Sequence, residues 1–210
     1  MVVLKQPSPR RTRPGVARSL AACCRLCLVA ALVGLVSLAA ADPGWSPAAS
    51  HSEFEIKSAM LYNFTKFIDW PDGTLAEGAS PLVIGVWKDE AFGPLLEASL
   101  RNKTVYGHPV VVRRIDALTE SKGCHVLFIG AGDRKQTAAL LSALGQWPVL
   151  TIGDGAQFAN LGGVIAFIRD GSRMGFEINL DAAAQARLKV SSKLLHLATI
   201  RRDAAARRRD

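Results

Sequence analysis

Apolar and polar positions along this chain follow a helical rhythm first, then continuous apolar runs, then a strict alternation near the C-terminus. Residues 53–71, EFEIKSAMLYNFTKFIDWP, show the first. Wound at about 100° per residue, Phe54, Ile56, Met60, Leu61, Phe64, Phe67 and Ile68 fall on one side. Glu55, Ser58, Tyr62, Asn63, Thr65, Lys66 and Asp69 fall on the other. Ser52 stands three before Glu55, a capping-box spacing that starts the helix, and Pro71 stops it. Two aromatic residues do not belong to the buried side: Tyr62 lies among polar positions and Trp70 lies at the helix end. Lys57 falls inside the apolar arc near a helix N-terminus, where the dipole disfavours a cation. Either its stem reaches out to water or it pairs with a carboxylate, and pairing with Glu177 is the expectation taken forward.

Beyond this helix, LVIGVW (82–87), PVVVRRI (109–115), HVLFIG (125–130) and WPVLTIG (147–153) read as strands. Helical segments at 89–100 and 135–144 separate them. Continuous apolar runs between helices predict a parallel sheet covered on both faces. The rhythm then changes. VIAFIR (164–169) and SRMGFEIN (172–179) are joined by Asp170-Gly171, a strong two-residue hairpin signal. In the second strand Met174, Phe176 and Ile178 alternate with a polar face made of Arg173, Gly175, Glu177 and Asn179. Asp181 caps a helix over 182–188, and Ser191 or Ser192 opens a last one over 193–200. The expected fold is α/β: a single three-layer domain with a mostly parallel central sheet, a C-terminal antiparallel hairpin and helices on both faces.

Composition changes the picture mainly by subtraction. Residues 1–25 hold six basic and no acidic residues, and the apolar run LCLVAALVGLVSL (26–38) and three alanines follow. This is the order of a secretory signal peptide, with cleavage expected after Ala41 and export to the periplasm. Six of the 26 Lys and Arg lie in residues 1–41, leaving 20 against 18 acids, so the net charge falls from +8 to +2. Five of those 20 sit in the tail at 201–210, and the body is nearly neutral. Nothing in that balance calls for nucleic acid. Residues 42–51 read as a flexible lead-in, 52–200 as the folded domain and 201–210 as a basic tail.

Candidate chemistry is sparse. Of four cysteines only Cys124 lies beyond the leader, and it reads as a small buried core residue. Its neighbour His125 has no second ligand nearby, so no metal spacing exists. No catalytic frame surrounds any histidine, and neither catalytic residues nor a cofactor are nominated. Gly130-Ala131-Gly132-Asp133 follows a strand and precedes a helix. Its amides could receive a phosphate, making a nucleotide or small-ligand binder or an enzyme using Gly130 to Lys135 the alternative function. The plain reading is a tight turn with Asp133 as N-cap.

Taken together, K-x-A-x-L-Y-x-F-x-K-F-x-x-W-P (57–71), PLVIGV, YGHPVVVRRI, CHVLFIG, VLTIGDGAQFANLGGVIAFI, FEINLDAA and LKVSSKLLHLA resemble the YfiR-like periplasmic proteins. The resemblance spans about residues 53–200. It implies an exported α/β domain, often dimeric, with no known catalytic activity. It further implies binding to the periplasmic sensor domain of an inner-membrane diguanylate cyclase, holding it inactive, with an outer-membrane-side partner relieving the repression. Cyclic di-GMP output and biofilm formation would then follow the state of the envelope. Paired cysteines found in some members are missing here. Within that picture Tyr62 and Trp70 are the expected partner contacts, and Lys57, Arg173, Glu177 and Asn179 the candidates for a ligand or ion-pair site.

Overall fold

The computed structural model describes residues 47–75, 80–171 and 173–201, with side chains from Glu53 onward. The proposed signal peptide, its cleavage site and nearly all of the basic tail lie outside these residues. The chain runs α1 (Pro47–Thr65), β1 (Ile68–Asp69), β2 (Leu82–Trp87), α2 (Phe92–Leu100), β3 (Thr104–Val105), β4 (His108–Ile115), α3 (Leu118–Ser121), β5 (Val126–Ile129) and α4 (Arg134–Leu144). It continues through β6 (Leu150–Asp154), α5 (Ala156–Asn160), β7 (Ile165–Asp170), β8 (Arg173–Asn179), α6 (Leu180–Gln185), β9 (Lys189–Val190), α7 (Ser192–Leu195) and β10 (Thr199–Arg201).

Eight strands form one sheet in the order β10-β8-β7-β6-β5-β2-β4-β3, and β1 pairs separately with β9. From β4 to β7 every neighbouring pair is parallel. β8 returns antiparallel to β7 with Asp170, the last residue of β7, paired to Arg173, so the turn falls one residue later than Asp170-Gly171, and Gly171 takes the positive φ of 58° that it demands. The three-layer α/β reading and its antiparallel hairpin are therefore what the chain adopts.

Strand side chains alternate between two cores. Leu82, Ile84, Val86, Phe128, Ile152 and Phe167 face one side, where they meet Leu61 and Phe64 of α1 and Phe92 and Leu96 of α2. Val83, Leu127, Ile129 and Ala166 face the other, against Leu140, Leu141 and Leu144 of α4 and Phe158 of α5. Each such side chain contributes about 1.5–3 kcal/mol by leaving water. Phe158 lies so close to two backbone segments that a Cβ at Gly153 or Gly163 would fall 2.5 or 2.1 Å from its ring.

Four local expectations are corrected. The first helix begins at Pro47, so part of the supposed flexible lead-in is helical and Ser52 lies inside the helix, not at its cap. It ends at Thr65 in a tightened turn, with Lys66 N–H donating to Asn63 O and Phe67 N–H to Phe64 O, both at 3.0 Å. Its buried stripe is Lys57, Ser58, Leu61, Phe64 and Thr65, whereas Ile56 is 45% exposed. That stripe is rotated because α1 must meet both the sheet, through Phe64 against Phe167 and Phe176, and α2, through Phe54 against Phe92. At the other end, the helix expected over 193–200 stops at Leu195, and Thr199–Arg201 instead joins β8 in parallel.

Candidate functional site

Lys57 is 7% exposed on α1, and a buried ammonium persists only if it is paired. Its Nζ lies 2.9 Å from Glu53 Oε1, one turn back, and 2.9 Å from Asp154 Oδ1 at the carboxyl end of β6. Arg169, near the end of β7, closes on the other oxygen of Glu53. Burial pulls the Lys57 pKa down, but hydrogen bonds to Asp154 and Glu53 outweigh it and the net shift is upward. The hydrogen bond from Lys57 holds the Glu53 carboxyl below its ordinary value. Pairing is thus correct as a principle, but the partner is not Glu177. That residue is buried on β8 and held by Arg201 of β10.

Arg173, Glu177 and Asn179 do not make one open polar face. Arg173 is exposed beside the hairpin turn, paired in register with Asp170. Asn179 is fully buried: its Oδ1 accepts from the Asp181 and Ala182 amides at 3.0 Å, and its Nδ2 donates to Ala159 O at 3.0 Å. Asn179, not Asp181, is therefore the cap of α6. The alternation misled because both faces of β8 are covered along its second half, by Phe64 of α1 against Phe176 on one side and by α5, through Ala159 O on Asn179, on the other.

Tyr62 and Trp70 are both half-buried and packed against the larger core. The Tyr62 hydroxyl donates to Thr104 O at 3.0 Å, and Lys66 Nζ sits 3.8 Å from its ring centroid. The Trp70 indole donates to His125 O at 3.4 Å. Sequence reasoning missed Tyr106, which is 56% exposed beside them. Tyr106 and Gly107, at φ 52° and 82°, form the two-residue turn between β3 and β4. The hydroxyl of Tyr106 donates to Lys66 O at 2.9 Å, tying the turn to the end of α1. Tyr-Gly just before a β-rich run was the available signal. Tyr62, Lys66 and Tyr106 thus form an aromatic surface with a cation over one ring.

At the amino-terminal end of β5, where Trp70 reaches His125 O, the groups are more enclosed. His125 Nδ1 accepts the Val83 amide at 3.0 Å, which places its proton on Nε2 facing Thr74 O at 3.1 Å. Burial pushes its pKa down, so it is a neutral tether between the sheet and the loop after Trp70. Burial also raises the Cys124 thiol to about 11, which leaves it protonated and poorly nucleophilic at neutral pH. Next to them opens a cleft of about 720 Å³ whose lining includes Asp72, Lys122, His125, Gln146, Trp147 and Arg187.

In the order β4-β2-β5-β6-β7 the chain direction of winding reverses between β2 and β5, the place where doubly wound sheets receive ligands at their carboxyl ends. Here the loop after β5 packs on the segment after β2, and a cavity of about 520 Å³ lies beside it at the carboxyl ends of β2 and β4. A Cβ on Gly130 would lie 2.7 Å from Lys88 O, the Lys88 side chain closes on Gln136, and Asp133 accepts the Lys135 amide at 2.7 Å as N-cap of α4. Packing and capping account for the Gly130 to Lys135 loop. Among the described residues no group of three His, Cys, Asp or Glu is placed to hold a metal ion.

The sequence model of a family described as YfiR/HmsC-like matches residues 54–199. No curated protein matches the chain. Among solved structures, a conserved domain protein from Vibrio cholerae O1 biovar eltor is similar at a TM-score of 0.51 and 12% identity, over 71% of this chain and 60% of that one. The chain spans less than two thirds of that protein's length, and the likeness speaks for the fold alone.

Proposed function

The chain belongs to the YfiR/HmsC-like family, and from that premise we propose that it is a periplasmic regulator that holds a membrane-bound diguanylate cyclase inactive by contact with the cyclase's sensor domain. The observation that carries this reading is the extent of the family match, which runs from α1 to the first residue of β10. Among the described residues no helix is long and apolar enough to cross a membrane. The regulator would act by population shift: it represses only as far as it binds the inactive sensor more tightly than the active one. A partner on the outer-membrane side would relieve repression by competing for the regulator.

The contact surface in this proposal centres on Tyr62, Lys66 and Tyr106, with Trp70 nearby in sequence past β1. Aromatic side chains fixed by hydrogen bonds at one edge and open to solvent at another are natural interface anchors, because little rotamer freedom remains to be lost on binding. The purified mature chain is expected to capture the periplasmic sensor domain of a membrane diguanylate cyclase from the same cell. Tyr106→Ala, which removes an exposed ring and its hydrogen bond to Lys66 O, is expected to weaken capture about tenfold with only a small fall in melting temperature. Absence of capture by the parent protein contradicts the function. Undiminished capture by the variant moves the contact surface elsewhere.

A further inference from the structure

We propose that the cleft at the amino ends of β5 and β6 binds an acidic saccharide, Trp147 stacking on the sugar ring and Lys122 and Arg187 receiving its carboxylate. Its volume of about 720 Å³ suits a small molecule, and its lining belongs neither to the aromatic surface at the end of α1 nor to the Lys57 ion pairs.

Three features carry this. First, Trp147, expected in the sequence to begin a strand, stands instead in the turn before β6 and is 47% exposed. Its backbone is fixed, with its N–H on Leu144 O at 3.0 Å and its C=O accepting the Val149 amide at 2.7 Å, so the indole is presented rather than frayed. Second, Lys122 Nζ lies 5.2 Å from the indole centroid, which puts a cation beside an apolar plane. Third, Arg187 is held at the cleft in a left-handed conformation, φ 57°, costly for a residue with a Cβ, and its amide is tied to Ala184 O at 3.0 Å. Among the described residues neither Lys122 nor Arg187 has a carboxylate within ion-pair distance. With Asp72 as the acid in the lining, the cleft carries an excess of positive charge.

The ligand class follows from what the walls offer. An apolar ligand needs most of its surface enclosed, and this cleft is open with a mixed polar lining. A doubly charged phosphate exceeds the single net positive charge of the lining, and the amides of Gly123, Cys124 and Val149 that could add donors are spent on Glu120, Ser121 and Trp147 carbonyls. A nucleobase sandwich would need a second aromatic ring facing Trp147, and His125, the other ring in the lining, is held by its hydrogen bonds to Val83 and Thr74. A pyranose has a C–H face for the indole and hydroxyls for Gln146 and Asp72, and its carboxylate answers the two cations with charge-assisted hydrogen bonds.

Calorimetric titration of the purified protein with glucuronate, N-acetylmuramate and neutral N-acetylglucosamine tests this. At least one acid is expected to bind saturably with a millimolar or tighter constant, and the neutral sugar at least about tenfold more weakly. Binding of glucuronate alone points to a uronate polymer, and of N-acetylmuramate alone to cell-wall fragments. Arg187→Gly, which removes the charge where glycine is conformationally at ease, is expected to weaken the acid about tenfold, and Trp147→Ala to abolish binding, both with parental melting. The proposal is overturned if no acid binds, if the neutral sugar binds equally well, or if normally melting variants bind undiminished.

Discussion

At the residue scale, Lys57 carries the clearest energetic consequence. Removing its ammonium leaves Asp154 without a partner, while Glu53 keeps Arg169, so Lys57→Met is expected to cost about 1–3 kcal/mol in chemical denaturation. A double-mutant cycle should show coupling between Lys57 and Asp154 and none between Lys57 and Glu177. The pH window follows from the directions of the shifts. Glu53 titrates below its ordinary 4.5 in the fold, so its contribution is full above that value and lost as pH falls through the lowered pKa. Lys57 titrates above 10.5, so its contribution is full below that value and lost as pH rises further. The difference between parent and Lys57→Met should therefore stay flat across neutral pH and shrink in acid. His125 acts in a separate window: its folded pKa lies below 6.5, so stability should decline as pH falls from about 7 towards 5. His125→Asn, which keeps an acceptor for the Val83 amide, should remove that slope. The sequence showed Lys57 as misplaced on an apolar arc but could not name Asp154, because only strand order brings β6 beneath the first helix.

At the scale of elements, the strands and the hairpin were legible because continuous apolar runs and Asp170-Gly171 are strong local signals. What failed depended on distant neighbours. Thr199 and Ile200 read as the end of a helix until β8 supplies a parallel partner, and Glu177 and Asn179 read as a solvent face until β10 and α6 cover them. The cap of α6 shows what that coverage does. Asn179→Ala removes two accepted and one donated hydrogen bond from a fully buried position and should cost about 2 kcal/mol or more. Asn179→Asp keeps the acceptors but sets a carboxylate oxygen against Ala159 O at a fully buried position, so it should cost at least as much as Asn179→Ala at neutral pH. Gly163→Ala tests packing in the second core. With Phe158 2.1 Å from the new Cβ, the ring must leave its place, and a marked drop in melting temperature is expected. Unchanged melting would show that α5 can shift without cost.

For the whole molecule, the fold sorts into three groups residues that the sequence had mixed. The ion pairs around the buried Lys57 tie α1 to the carboxyl ends of β6 and β7, the aromatic surface of Tyr62 and Tyr106 lies at the end of α1, and the Trp147 cleft opens at the amino ends of β5 and β6. At the usual ligand position of a doubly wound sheet Gly130 packs against the Lys88 backbone. The family was legible in the sequence because its phrases lie in the strands and helices that build this core. The aromatic surface was only half legible, since a turn and not spacing brings Tyr106 to Lys66 at the end of α1. The regulatory account stands most directly on one rate: cyclic di-GMP synthesis by a membrane diguanylate cyclase in lipid nanodiscs, where both faces are accessible. Adding the mature protein should lower that rate saturably, and Tyr106→Ala should shift the response to higher concentration. A rate that stays constant at saturating protein contradicts the account.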